Sequence, residues 1–174
     1  MLWLKLLNKI LKILHSNASA AQISFGFSFG VIWGFLPVLS IQWFLFLFIS
    51  IMVNINLGMF FIAAALAKIL ALLISFFAHK IGSFALIDLK FLKGFWTFLY
   101  NIPVVPFTKF NNTVVMGNLI ISVILAVACF FLVKSFVNYY RKYLVGQMDK
   151  YRIVRFLKTS KIYSFYKKIM LLKD

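Results

Sequence analysis

From Ile13 through Ala67 the chain carries no Lys, Arg, Asp or Glu. A bilayer core is crossed by roughly 20 apolar residues, so an uncharged run of about 55 is too long for one span and too apolar for a soluble domain. The run is punctuated by one proline, Pro37, and by the polar pair Asn54 and Asn56. It places the chain in a membrane. The 64% hydrophobic content, the 22 Phe and the mean hydropathy of +0.99 agree, because soluble domains hold only about 45–50% apolar residues. At 174 residues there is room for one compact membrane unit and no second globular domain.

The formal charge of +16 arises from 19 Lys and Arg against Asp88, Asp149 and Asp174. Such a balance suits nucleic acid or anionic lipid, and the positions of the charges decide between them. In residues 1–17, Lys5, Asn8, Lys9, Lys12 and His15 recur every three or four positions opposite Leu, Ile and Trp3. That spacing predicts a basic amphipathic helix lying on the membrane. A signal peptide is the competing reading, because Ala18-Ser19-Ala20 has the form of a cleavage site. It fails because only Ile13 and Leu14 are apolar between Lys12 and Ala18, where about 7–15 apolar residues are required. Residues 138–174 predict a second basic surface helix, with Arg152, Arg155, Lys158, Lys161 and Lys168 interleaved with Ile153, Phe156, Leu157, Ile162 and Phe165. Lys5, Lys9, Lys12, Arg141, Lys142, Arg152, Arg155 and Lys158 are the candidate contacts to anionic lipid. The tail follows a span and backs its charges with apolar residues, so lipid explains it better than nucleic acid.

Between these ends, residues 18–137 divide into apolar segments 18–36, 39–53, 57–78 and 113–137, with an interfacial loop at 79–112. The expected fold is an all-α integral membrane protein: a short broken helical hairpin and two longer transmembrane helices, flanked by amphipathic interfacial helices. The second segment reaches only about 22 Å against a core of about 30 Å, so the first pair either spans on short legs or re-enters. Trp33 and Trp43 flank the Pro37 turn, which suits a turn at an interface. The loop mixes Lys80, Asp88, Lys90, Lys93 and Lys109 with Phe84, Phe91, Phe95, Trp96 and Phe98. It reads as an interfacial helix followed by an extended piece at Pro103-Val104-Val105-Pro106. Tyr139, Tyr140 and Tyr143 form an aromatic belt where the last span leaves the membrane. Basic residues near spans are retained inside, so both termini are expected in the cytoplasm. That requires an even number of crossings, either four spans or a re-entrant hairpin and two spans.

Gly26, Gly30 and Gly34 stand four apart and line one helix face, where they admit another backbone. They read as intramolecular packing, or else as a hinge or oligomer seam ending at Pro37. Gln42, Asn54, Asn56 and Lys68 are polar groups at membrane depth, where an unmatched amide costs several kcal/mol and a charge more. They either hold the hairpin together or line a solute path. Ser24, Ser28, Ser40 and Ser50 are expected to bond back to their own helices. Cys129 stands alone, so no intramolecular disulfide is possible, and it reads as a small packing residue. His15, His79, Asp88 and Cys129 are scattered without catalytic or metal-ligand spacing, so no cofactor, metal or enzymatic activity is expected.

The order Gly26-Phe-Ser-Phe-Gly30-Val-Ile-Trp-Gly34-Phe-Leu-Pro37, then Gln42, then Asn54-Ile-Asn56-Leu57 resembles the small bacterial membrane proteins of domain-of-unknown-function family 2062. The stretch Pro103-Val-Val-Pro106-Phe-Thr-Lys-Phe-Asn111-Asn112-Thr113 is similar to a subgroup of it found in bacteria with outer membranes. Many members carry an Asn-Pro after the Asn-x-Asn segment; here that region is the unbroken Ala63-Ala64-Ala65-Leu66-Ala67. The resemblance implies the bacterial inner membrane. It further implies a larger envelope protein as partner, contacted through Pro103, Pro106, Asn111 and Asn112 of the outer loop. An accessory or scaffold role in envelope biogenesis or lipid handling ranks first. A small transporter or channel ranks second, and a lipid-modifying enzyme third. Homo-oligomers remain open.

Overall fold

The computed structural model describes residues 2–145, with side-chain surroundings for residue 6 and for 9–143. Every element among the described residues is helical. The chain forms two compact units, Met1–Lys134 and Ser135–Asp174. Helix α1 spans Leu2–Leu14, burying Ile13 and Leu14 and exposing Lys9 and Lys12. Ser19 then caps α2, Ala20–Phe35, in a reciprocal box: its hydroxyl accepts from the Gln22 amide and the Gln22 side chain accepts from the Ser19 N–H. Two of the first-turn donors that a helix leaves open are thereby satisfied. The residue before a proline is driven out of the helical region, and α2 stops at Leu36 with extended backbone.

Ser40 caps α3, Ile41–Met52, and Asn56 caps α4, Leu57–Leu73, through Oδ1 to the Met59 N–H at 2.9 Å. After Ile74 the chain turns by 74° into α5, Ser75–Ser83. A π-helical turn at Phe84–Asp88, a 3-10 turn at Lys90–Leu92, α6 at Lys93–Tyr100 and a 3-10 turn at Val105–Thr108 complete the connection. Asn112 opens the last helix, α7, Thr113–Tyr139, by accepting from the Val114 and Val115 N–H groups.

The core is a seam of small residues. Gly26 faces the backbone of Asn56, Gly30 that of Phe60 and Gly34 that of Ala64, so α2 and α4 run parallel in a register of four. Parallel neighbours need a return crossing between them, and α3 supplies it. Buried Ala63, Ala67 and Ala71 of α4 meet Val31 and Phe35 of α2, and Ile121 and Leu125 of α7 pack over this cluster. Helix α7 descends antiparallel to the pair: the Ser28 hydroxyl donates to the Ala126 carbonyl at 2.8 Å, and the rings of Phe25 and Phe130 lie 4.5 Å apart. In the second unit the described residues finish α7 and form a π-helical turn at Tyr140–Val145, where Tyr139 and Tyr143 pair at 4.6 Å.

Four expectations are corrected. The segment 57–78 is not one helix, because it breaks at Ile74. No proline or glycine marks the break; it lets α5 dock on α7, where Gly82 meets the Thr113 carbonyl and Gly117 meets that of Ala78. The expectation of two longer spanning helices therefore yields one unbroken helix of spanning length among the described residues, Thr113–Tyr143, and a bent pair in place of the second. Pro103–Pro106 is not extended. The Val105 N–H donates to Ile102 and the Phe107 N–H to Val104, closing tight turns that pack Val105 beside Ala85, Phe110 and Met116. Two of the four serines do not bond back to their own helices: Ser28 crosses to α7, and Ser40 donates to the Pro37 carbonyl in the turn before α3.

Candidate functional site

The Gln22 end of the bundle is held by amides. The Asn56 N–H donates to the Gln22 carbonyl at 3.1 Å, while Gln22 Nε2 donates to Asn54 Oδ1 at 3.0 Å. Asn56 thus caps α4, ties it to α2 and offers its own backbone to Gly26. Asn54 is exposed rather than buried, since it sits beyond the end of α3, where the turn faces outward. Gln22 was the member that spacing alone did not single out. A capping box at Ser19-x-x-Gln22 was the available signal.

At the opposite end lie Pro37, Gln42 and Lys68. Trp33 and Trp43 stack at 4.5 Å across the turn, and Trp33 Nε1 donates to the Trp43 carbonyl at 3.0 Å. Gln42 is half-buried, with Nε2 enclosed and lacking a hydrogen-bond partner. Lys68 is half-buried and donates to the Leu36 carbonyl at 2.7 Å, closing the C-terminus of α2. A cation there interacts favourably with the negative end of the helix dipole. Beside it opens a cavity of about 320 Å³ between α2, α4 and α7, with Ser75, Asn112 and Asn118 on its wall. The Asn118 Oδ1 atom is enclosed and unpartnered.

A second cavity of about 350 Å³ separates α2 from α7 and is almost wholly apolar, lined by Phe25, Phe29, Ile32, Val123, Val127 and Phe131 among others. In the connecting loop, Pro103, Asn111 and Asn112 are exposed and Pro106 is half-buried. The Trp96 Nε1 holds the Ala85 carbonyl at 3.1 Å, which fixes the loop against the π-helical turn. His79 Nδ1 meets Thr113 Oγ1 at 2.7 Å and joins α5 to α7. His15 bonds to the Leu11 carbonyl, and Cys129 is half-buried with a free thiol. Among the described residues no three His, Cys, Asp or Glu side chains come together as a metal site.

The family model described as "Uncharacterized protein conserved in bacteria (DUF2062)" matches residues 5–144, from within α1 through the end of α7. The chain belongs to this family. A DUF2062 match of that extent takes in the glycine seam, the Pro37 turn, the Lys68 cavity and the whole connecting loop. The chain is also similar to an "Uncharacterized protein" of Treponema pallidum (strain Nichols), 24% identical over 141 residues, which cover 81% of this chain and 86% of that one. No solved structure matches.

Of the basic candidates on this DUF2062 chain, Lys9, Lys12 and Lys142 are exposed and Arg141 is half-buried. Lys142 lies 5.4 Å from the ring centre of Tyr143, a cation–π distance. The helix is described at Lys5 but not the surroundings of its side chain; Arg152, Arg155, Lys158 and the amphipathic tail beyond Val145 lie outside the described residues.

Proposed function

We propose that this DUF2062 chain is a multi-pass protein of the bacterial inner membrane, with both termini in the cytoplasm, acting as a non-catalytic accessory or scaffold in envelope biogenesis or lipid handling. The observation that carries the reading is the inversion of polarity across the fold. The seam between α2 and α4 is glycine and alanine, while Phe44, Leu45, Phe48, Ile51, Leu72 and Leu73 project outward and exposed. On α3 the one buried residue is Ser50. Small residues between helices and large apolar ones outside is the arrangement lipid favours, and water would penalise a continuous patch of that size. The antiparallel course of α7 further supports the reading, because it brings the described end of the first unit back toward the Gln22 end of α2.

Site-directed labelling tests it. A cysteine at Lys93, in α6, is expected to react with an impermeant maleimide added to intact cells whose outer membrane has been permeabilised. A cysteine at Lys150 is expected to react only after lysis, the assay being done in a Cys129→Ser background. Equal reaction of both, or recovery of the chain in the soluble fraction, overturns the placement. The scaffold role is tested separately: altering Pro103 to Asn112 removes a co-purifying envelope protein and leaves the chain's own membrane level unchanged.

A small transporter is the second reading, favoured by the broken α4–α5 pair beside a lysine. Discontinuous helices of this kind form solute sites in transporters. Its mark is solute flux in vesicles that Lys68→Gln abolishes.

A further inference from the structure

We infer that the cavity between Leu36, Lys68, Ser75 and Asn118 binds a phosphate-bearing anion, as the headgroup of an anionic phospholipid or as free phosphate. The inference rests on the membrane placement proposed above and adds a ligand to it. Of the lysines up to Lys134 whose side chains are described, only Lys68 is not exposed. Its ammonium has three donors, and one is used, on the Leu36 carbonyl at 2.7 Å. No carboxylate lines the cavity, and the one acidic side chain among the described residues, Asp88, is exposed. A helix C-terminus carries about half a negative charge, so the cation is left partly uncompensated in surroundings where an unmatched charge is costly.

The other polar groups on the wall suit an anion. Ser75 offers a hydroxyl at the start of α5, whose first turn has no side-chain cap at Ile74. Asn118 presents a carboxamide with its oxygen enclosed and unpartnered. The two N–H donors of that carboxamide are the part suited to an anion. Asn112 completes the polar side, although its own oxygen is committed to the first turn of α7. The remainder of the wall is apolar, with Phe35, Leu72 and Val115 prominent. One cation, a hydroxyl and an amide beside apolar side chains match an amphiphile with a phosphate head, and 320 Å³ holds the head and its first carbons.

Capping of α2 is the competing account of Lys68, and Lys68→Gln separates the two because it keeps an N–H donor for Leu36 and removes the charge. The full chain, purified in a neutral detergent, is titrated with phosphatidylglycerol, phosphatidylcholine and inorganic phosphate and read by native mass spectrometry. The wild type and Lys68→Arg are expected to retain one phosphatidylglycerol that survives mild activation. Lys68→Gln loses it at least tenfold in affinity, and Asn118→Ala about threefold, with helicity by circular dichroism unchanged. Lys9, Lys12 and the basic tail are common to all variants and contribute equally. Displacement of the lipid by millimolar inorganic phosphate assigns the site to free phosphate, and resistance to it assigns the site to lipid. Wild-type affinity in Lys68→Gln, or equal retention of both lipids by the wild type, overturns the inference while leaving the labelling result at Lys93 and Lys150 untouched.

Discussion

Gly30 and Phe60 meet backbone to backbone: a Cβ at Gly30 would clash with the Phe60 carbonyl oxygen and lie 2.9 Å from the Ala63 Cβ. Phe60 is fully buried, and its partner atom is main chain, which cannot rotate away. Any side chain at position 30 therefore has to part α2 from α4.

Gly30→Ala is expected to destabilise the protein by about 1–3 kcal/mol, the usual cost of overpacking, and Gly30→Leu to prevent folding. The control is Gly94→Ala on α6, where nothing lies within 4 Å of the added methyl; alanine there is expected to be neutral or to stabilise by about 0.5–1 kcal/mol through helix propensity. Denaturant titration in detergent, followed by Trp fluorescence, checks both. Equal midpoints for the two variants would remove the seam from the account of stability.

Gly117 and Gly82 make the second close approach, and it holds α5 to α7. Gly117→Ala is expected to cost about 1–3 kcal/mol and to release α5, because the methyl would strike the Ala78 carbonyl. The specific readout is a disulfide engineered between positions 79 and 113, whose native side chains touch at 2.7 Å. It should form readily in the parent and slowly in Gly117→Ala; unchanged cross-linking would show that α5 is positioned by something else.

The glycine face of the first seam was legible in the sequence, while its pairing with α4 and the whole of the second seam were not. Gly26, Gly30 and Gly34 repeat within one segment, so their shared face follows from helical geometry alone. Gly82 and Gly117 lie in different segments with a loop between them, and nothing local announces that they meet. The break at Ile74 was hidden for the same reason: the local sequence favours a continuous helix, and the bend arises from docking at a distance. The Asn-x-Asn segment stood out as polar groups inside an apolar run, yet their division of labour, Asn56 capping α4 and Asn54 exposed beside Gln22, depends on where α3 ends. Lys68 was conspicuous by its cost, whereas Asn118 was masked as one polar residue in a long apolar helix.

The caps give a graded series. Asn56→Ala is expected to cost about 0.5–2 kcal/mol, since it removes the acceptor for the Met59 N–H at 2.9 Å. Asn112→Ala should fall in the same range through Val114 and Val115. Asn54→Ala, which loses one exposed contact to Gln22, should fall below both. Thermal midpoints in one detergent rank the three, and an Asn54 effect larger than the Asn56 effect would contradict this assignment of roles.

Two buried serines on α2 separate local from interhelical bonding. Ser24 donates to the Ala20 carbonyl of its own helix at 2.7 Å, and Ser28 donates across to Ala126 at 2.8 Å. In Ser24→Ala the carbonyl keeps its helical partner, so the change is expected to be close to neutral. In Ser28→Ala the hydrogen bond from α2 to the Ala126 carbonyl of α7 disappears, at a cost of about 0.6 kcal/mol and at most about 2. The effect should grow in combination with Phe25→Ala, because the Phe25–Phe130 contact holds the same pair of helices. A double-mutant cycle measures that coupling. Strict additivity of Ser28→Ala with Phe25→Ala, together with equal single effects for Ser24→Ala and Ser28→Ala, would show that α7 is held on α2 by general packing alone.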